Sequence, residues 1–466
     1  MIKKPNNPTP DRSGFHHALK VIDKVCMGCT HCMTSCPTQA IRVVNGLAVI
    51  NGNRCVDCGM CMRACPVKAI YVDHDDFNKI FKYKQRVALV PSVLLGQFPE
   101  DITLMKIFSI LHEIGFNMVV EVEQGIDIVK KTSMQYIKDH PDCTPFISSF
   151  CPAIIRLIQV RFPSLVNHII HVKAPLEATA FTLREKFVKD GLKPDEIGIF
   201  YITPCAAKIA AIKSPVEEEP SPITGVINMN FLYNKIYSAI KSGKKDHCAV
   251  PDPYPLAKES ILWSLTEGEI PHYPGRALAI DEIHNVIEFL EKLENNEIEG
   301  VDFLELRACD ESCPGGVLTV SNRFLTVERL KKRSRNAENI IPPNHDESGI
   351  QFTDVPQSVL DNMQIEKIMP RSILTYDEDI SKALDKISET EKLWKKLPDL
   401  DCAACGSPTC QALAEDIVMG TGNIRQCFLI SNTLEDSGKI EPGATRKEIE
   451  RIWGKKIKDQ DQIENI

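Results

Sequence analysis

Between residues 85 and 326, short apolar runs alternate with stretches whose apolar residues recur at helical spacing. The runs RVALVP (86–91), NMVVEV (117–122), TPFISS (144–149), IGIFYIT (197–203), TGVINM (224–229) and VDFLELR (301–307) predict strands. EDITLMKIFSILHEIG (100–115) carries a helical stripe and closes on Gly115, a helix stop. Strands alternating with helices predict α/β layers around mainly parallel sheets, in which ligands bind beyond the carboxyl ends of the strands. On either side of this region the periodic pattern fades and tight cysteine clusters take over.

The 466 residues allow two to four domains, and 43% apolar with 25% charged residues is ordinary for a globular protein. A net charge of −8 supplies no basic field for nucleic acid. No apolar run approaches the roughly 18 residues of a membrane span, and MIKKPNNPTPDRSGF lacks the apolar core of an export signal. The 18 cysteines change the picture. In a long chain without an export signal they point to metal-bound thiolates in a reducing compartment, hence to a cytoplasmic location.

CMGCTHCMTSCPTQAI (26–41) and CVDCGMCMRACPVKAI (55–70) repeat with every cysteine shifted by 29 residues. This is C-x2-C-x2-C-x3-C-P twice, the bacterial ferredoxin spacing, in which the fourth cysteine of each run ligates the other cluster. Cys26, Cys29, Cys32 and Cys65 are assigned to one [4Fe–4S] cluster. Cys55, Cys58, Cys61 and Cys36 are assigned to a second. Paired zinc sites are the rival reading, weakened by the duplicate register and the Pro after each fourth cysteine.

Single cysteines follow the predicted strands: Cys151 after TPFISS, Cys205 after IGIFYIT, and Cys309 and Cys313 after VDFLELR. Four thiols at strand ends could share a third [4Fe–4S] cluster. Near the C-terminus, Cys402, Cys405, Cys410 and Cys427 have the spacing C-x2-C-x4-C-x16-C, with CQALAEDIVMG as a helix between the last two ligands. An iron–sulfur module and a zinc site are both compatible with it. Cys143 and Cys248 are left as ordinary thiols. The basic run ERLKKRSRNAEN (328–339) reads as a solvated helix face.

SSFCP, TPCAAK and ELRACDESCPGG resemble, in order, the three active-site motifs of [FeFe]-hydrogenases, and the resemblance extends over most of residues 20–326. It implies an α/β hydrogenase catalytic domain, a small α+β ferredoxin-like domain and a small helical C-terminal iron–sulfur module. The expected layout is 15–80 for the ferredoxin-like domain, 84–326 for the hydrogenase domain, 327–395 for an extension, 396–435 for the four-cysteine module and 436–466 for a tail. It further implies an H-cluster: a cube held by Cys151, Cys205, Cys309 and Cys313, bridged by Cys313 to a two-iron subsite carrying CO and cyanide. With it come three further [4Fe–4S] clusters. Lys208 matches the family lysine that hydrogen-bonds a cyanide, and Pro91-Ser92 resemble the turn near the other cyanide.

The chain departs from the family pattern where catalytic members carry a proton-relaying cysteine; here the residue is Phe150. Two family methionines correspond to Thr203 and Arg307, a Ser-Pro-Gln stretch to Ala174-Pro175-Leu176, and glutamates of the proton route fall near Thr132 and Ser133. These changes resemble the sensory [FeFe]-hydrogenases. The expectation is reversible H2 oxidation and proton reduction, slow, with an H2-sensing role. H2 and protons are the substrates, a ferredoxin-type protein the redox partner, a signalling protein a further partner, and hydrogenase maturation proteins install the subsite. The alternatives are an ordinary ferredoxin-dependent hydrogenase, or a non-catalytic iron–sulfur electron-transfer or assembly protein without the two-iron subsite.

Overall fold

The computed structural model describes residues 16–215, 220–242, 256–337, 355–371 and 380–457; Cys248 lies outside them. The chain divides into two units. One comprises residues up to Cys55, Gly59–Tyr71 and the segment from Arg371 onward; the other comprises Val56–Cys58 and Val72–Pro370.

In the first unit, β1 (Leu19–Val21) pairs with β4 (Ile70–Val72), and β2 (Ile41–Val44) forms an antiparallel hairpin with β3 (Leu47–Ile50). Asn45 and Gly46, both at positive φ, make the two-residue turn that right-twisted hairpins favour. A short helix begins two residues after the second cysteine of each repeat, His31–Thr34 in the first and Met60–Ala64 in the second. The helices Ile380–Trp394, Cys410–Val418, Phe428–Asp436 and Ala444–Trp453 complete this unit. Its two halves interlock through polar contacts. Val43 N–H donates to the Gly406 carbonyl and Gly46 N–H to that of Ile452, each at 2.8 Å. Arg42 grips Asp416 through two nitrogens at 2.6 and 3.1 Å, and Arg54 pairs with Glu415. The expected layout therefore regroups: most of the described part of the expected 15–80 segment, without 56–58 and 72–80, shares one compact unit with 396–435. Residues 436–466, expected as a tail, contribute a helix to it, and the 327–395 extension is split between the units.

The second unit holds β5 (Gln85–Val90), β6 (Met118–Glu121), β7 (Phe146–Ile147), β8 (Ile197–Thr203), β9 (Gly225–Asn228), β10 (Ala277–Ile280) and β11 (Phe303–Leu306). They form two sheets, ordered β6-β5-β8-β9 and β10-β11-β7, and every pairing is parallel. β8 is buried at all seven positions, as a central parallel strand covered on both faces should be. Leu104–Glu113 forms the expected helix, its first turn capped by the Thr103 side chain accepting from Lys106 N–H. The 144–149 strand shrinks to two residues; Pro145 has no N–H to give a ladder. β10 was not anticipated, because its four residues carry no alternation.

Residues 328–336 of the basic run lie in helix Arg323–Asn336, and their outer cations are exposed. Arg333 corrects the solvated-face reading: it makes paired 2.6 and 2.7 Å bonds to the buried Glu121 carboxylate.

Candidate iron–sulfur and hydrogenase-like site

The two parallel sheets bring Cys151, Cys205 and Cys313 to one region. Cys151 follows β7 and opens helix Pro152–Arg161; Cys205 follows β8 and opens helix Ala206–Lys213; Cys309 and Cys313 follow β11. Thr203 fixes the Cys205 turn, its hydroxyl accepting from Cys205 N–H at 3.1 Å and donating to the Cys205 carbonyl at 3.2 Å. The Cys313 loop docks on the same turn: Leu318 N–H donates to the Pro204 carbonyl at 3.0 Å. Glycines make that approach possible. A Cβ on Gly316 would fall 2.5 Å from the Pro204 oxygen, and one on Gly315 1.8 Å from the Asp310 oxygen.

Cys151, Cys205 and Cys313 lie close enough to perturb one another. Burial, then Cys151, pushes the Cys205 thiol up to about 12, with Lys208 opposing. Cys313 is also raised, by burial first and against the pull of Lys208 and Arg307. Such a pocket disfavours thiolates unless a cation shares it, which is the chemistry of a metal-binding thiol set. Cys309 sits one turn before Cys313, its carbonyl accepting from Ser312 N–H at 3.0 Å.

Four of the predicted residues, Pro91, Phe150, Lys208 and Cys313, line a single cavity of about 360 Å³ with Glu123, Leu176, Tyr201 and Trp263. Ser92 turns elsewhere. Its N–H donates to Glu123 Oε1 at 2.8 Å and its hydroxyl to Glu121 at 3.4 Å. Lys208 is buried with Nζ 4.1 Å from the Phe150 ring centroid and 5.9 Å from that of Tyr201. Surrounding thiols and the Tyr201 hydroxyl hold it cationic, although burial opposes this.

The reading of the residues missed the charges behind this cavity. Arg307 meets Glu269 at 2.6 Å and Glu305 at 3.3 Å, all three buried, and Ser148 donates to Glu269 at 2.8 Å. One cation faces two carboxylates, so burial and the neighbouring Glu305 push Glu269 up to about 7 even against Arg307. Glu123 is likewise raised to about 7, by burial and then by Glu121. The signal available was Glu305, a charge inside an otherwise apolar strand run. Thr132 bonds back to its own helix, at the Ile128 carbonyl at 2.9 Å, and Ser133 bonds the Tyr273 hydroxyl.

In the first unit, Cys26, Cys29, Cys32 and Cys65 line one cavity of about 290 Å³. Cys32 is raised to about 12 by burial and then by those three thiols. Cys402, Cys405, Cys410 and Cys427 line another of about 320 Å³, where burial raises Cys405 to about 11. Cys55 and Cys61 are buried, Cys36 and Cys58 half-buried. Duplication extends to the amides: Ala40 N–H donates to Cys36 Sγ and Ala69 N–H to Cys65 Sγ, both at 3.2 Å. Cys143 is half-buried in a turn. No helix among the described residues is long and apolar enough to cross a membrane.

Three family models match the chain. Residues 84–232 match the iron only hydrogenase large subunit, C-terminal domain; 18–72 match a 4Fe-4S dicluster domain; 397–428 match a model described as "Putative Fe-S cluster". Cys309 and Cys313 lie beyond the first match. Iron hydrogenase 1 of Clostridium pasteurianum is 25% identical over 133 residues, 26% of this chain and 23% of that protein, so the chain matches under a quarter of this relative's length. Among solved structures, a variant of the [FeFe]-hydrogenase HydA1 from Chlamydomonas reinhardtii is similar at 15% identity, with TM-score 0.41, over 53% of this chain and 83% of that one. A structure titled for oxygen inactivation of [FeFe]-hydrogenase through its H cluster 2Fe subcluster aligns at 13% identity, with TM-score 0.46, over 61% and 94%. Segment by segment, the chain is similar to the iron-only hydrogenase large subunit and to 4Fe-4S proteins.

Proposed function

We propose that this protein is a slow [FeFe]-hydrogenase-like oxidoreductase with an H2-sensing or regulatory role. In this reading Cys151, Cys205, Cys309 and Cys313 hold an H-cluster, with Cys313 bridging to the two-iron subsite. The observation that carries it is the cavity shared by Cys313, Lys208, Pro91 and Phe150, beside the Cys205 and Cys151 thiols. When bound, such a centre supplies the Lewis-acid and redox chemistry that forms or splits H2. The chain's own part is positional. Lys208 presents a buried ammonium as a charge-assisted donor, braced against the Phe150 face. Leu176, Trp263 and Phe150 keep water out.

Three further [4Fe–4S] clusters, in the two ferredoxin-type sets and at Cys402, Cys405, Cys410 and Cys427, pass electrons to a ferredoxin-type partner or to a signalling protein. Phe150 is why the turnover is assigned as slow: a phenyl ring carries no exchangeable proton at the position where fast members have a thiol. Infrared spectroscopy of the matured protein under H2 tests the reading. CO and cyanide stretches that shift with H2 are expected. Their persistent absence in iron-replete protein favours the non-catalytic electron-transfer alternative.

A further inference from the structure

A second cleft, about 760 Å³ including its open mouth, lies against the Cys313 cavity. Phe150, Leu176 and Lys208 line both spaces and so form the partition between them. On the cleft side of that partition is Glu177, the third residue of helix Pro175–Lys189. Its carboxylate accepts the Ala174 backbone N–H, as an acid at this helical position commonly does. Capping needs only one oxygen. The other, Oε2, is enclosed and has no hydrogen-bond partner. An unpartnered buried carboxylate oxygen is costly to retain without a use.

We propose that Glu177 carries protons between the open cleft and the Cys313 cavity, taking over the task for which position 150 has no thiol. This inference rests on the hydrogenase reading above. The charged groups facing Glu177 are Lys208, from helix Ala206–Lys213, and Lys173, from the loop before its own helix. Burial lifts the carboxyl to about 7 while these two ammonium groups pull it down. A carboxyl so balanced both holds and yields a proton near neutral pH. In the delivery step the Lys208 ammonium, which lines both spaces, releases one N–H proton into the Cys313 cavity while the Glu177 Oε2–H bond breaks and its proton, carried by cleft water, restores the ammonium, leaving a carboxylate on the cleft side. A proton from water in the cleft then restores the acid. No electron moves, and the sequence runs backward during H2 oxidation.

The test uses the full chain in two forms, with E177Q and the conservative E177D. Protein reconstituted with iron–sulfur clusters but lacking the two-iron subsite is titrated by infrared difference spectroscopy from about pH 5 to about pH 9. One component of the carboxylic-acid C=O absorption that titrates near neutrality in the parent and is lost in E177Q, with the Glu123 and Glu269 components remaining, is expected. Its absence from the parent overturns the proposal, whatever the protein catalyses. In matured protein whose CO and cyanide bands match the parent's, E177Q should lower H2 turnover at least about tenfold and flatten its pH profile, with E177D retaining most of both. Undiminished turnover in E177Q also overturns it. If the parent itself shows no CO or cyanide bands, the hydrogenase reading fails, and the carboxyl titration alone decides whether Glu177 exchanges a proton.

Discussion

The guanidinium carbon of Arg307 sits 4.0 Å from the centroid of the Phe150 ring. Both residues stand at positions that the motif resemblance marks as departures, far apart in the chain, and they meet as one feature. Lys208 occupies a second position over the same ring at 4.1 Å, so one phenyl group is in reach of two buried cations. A double-mutant cycle of Phe150→Leu with Arg307→Met should give a coupling of roughly 0.5–2 kcal/mol by denaturant unfolding. A coupling indistinguishable from zero would mean that the contact is only spatial.

Removing the Arg307 cation alone should be far more damaging. Arg307→Met leaves Glu269 and Glu305 buried without their counter-ion, a loss of about 3–5 kcal/mol. Adding Glu269→Gln should recover part of it. A double variant no more stable than Arg307→Met would show that packing, not stranded charge, sets the cost.

Glu269 also predicts a pH dependence. Its folded value is raised to about 7 from an ordinary glutamate value, so the folded state binds a proton that the unfolded chain has released. That contribution is complete below the unfolded value and fades as pH rises through about 7. Unfolding free energy should therefore fall between about pH 5 and pH 8, and less steeply in Glu269→Gln. An identical slope in the variant would remove Glu269 from the account.

Phe150→Cys places a thiol on the wall of the Cys313 cavity. A thiol titrating near ~8.5 can pass protons near neutral pH. H2 evolution by the matured variant should rise at least about tenfold, within the usual range of general acid catalysis. No increase, with the CO and cyanide bands intact, would locate the slow step elsewhere.

Protein reconstituted without the two-iron subsite should bind roughly sixteen irons, four cubes of four. Replacing Cys410 and Cys427 with Ser should remove about four of them and leave the rest. A total near eight would undo half of the ligand assignment.

The two cysteine sets that gather around cavities, Cys26, Cys29, Cys32 and Cys65 and then Cys402, Cys405, Cys410 and Cys427, were legible because most of their spacing is local. Strand ends holding Cys151, Cys205 and Cys313 were readable from apolar runs, since buried parallel strands exclude polar residues. Arg333–Glu121 and Arg307–Glu269 were not, because the partners lie 212 and 38 positions apart and neither member announces itself in a mixed sequence. Nor was the enclosed, unpartnered Oε2 of Glu177, which depends on packing that the sequence does not display. The joining of the N-terminal repeat to the last helices escaped for the same reason: Arg42 and Asp416 are unremarkable until the fold pairs them.

The matched amides at Ala40 and Ala69 bear on direction. Backbone dipoles aimed at sulfur draw a cluster's potential upward, and here gene-like duplication of the motif aims the same dipole, at 3.2 Å, at the closing thiol of each run. The two proposed ferredoxin-type cubes thus share this contribution, and Ala48 N–H adds a further one to the first, at 3.4 Å from Cys26 Sγ. A difference in potential between the two cubes would therefore have to come from contacts other than the matched pair.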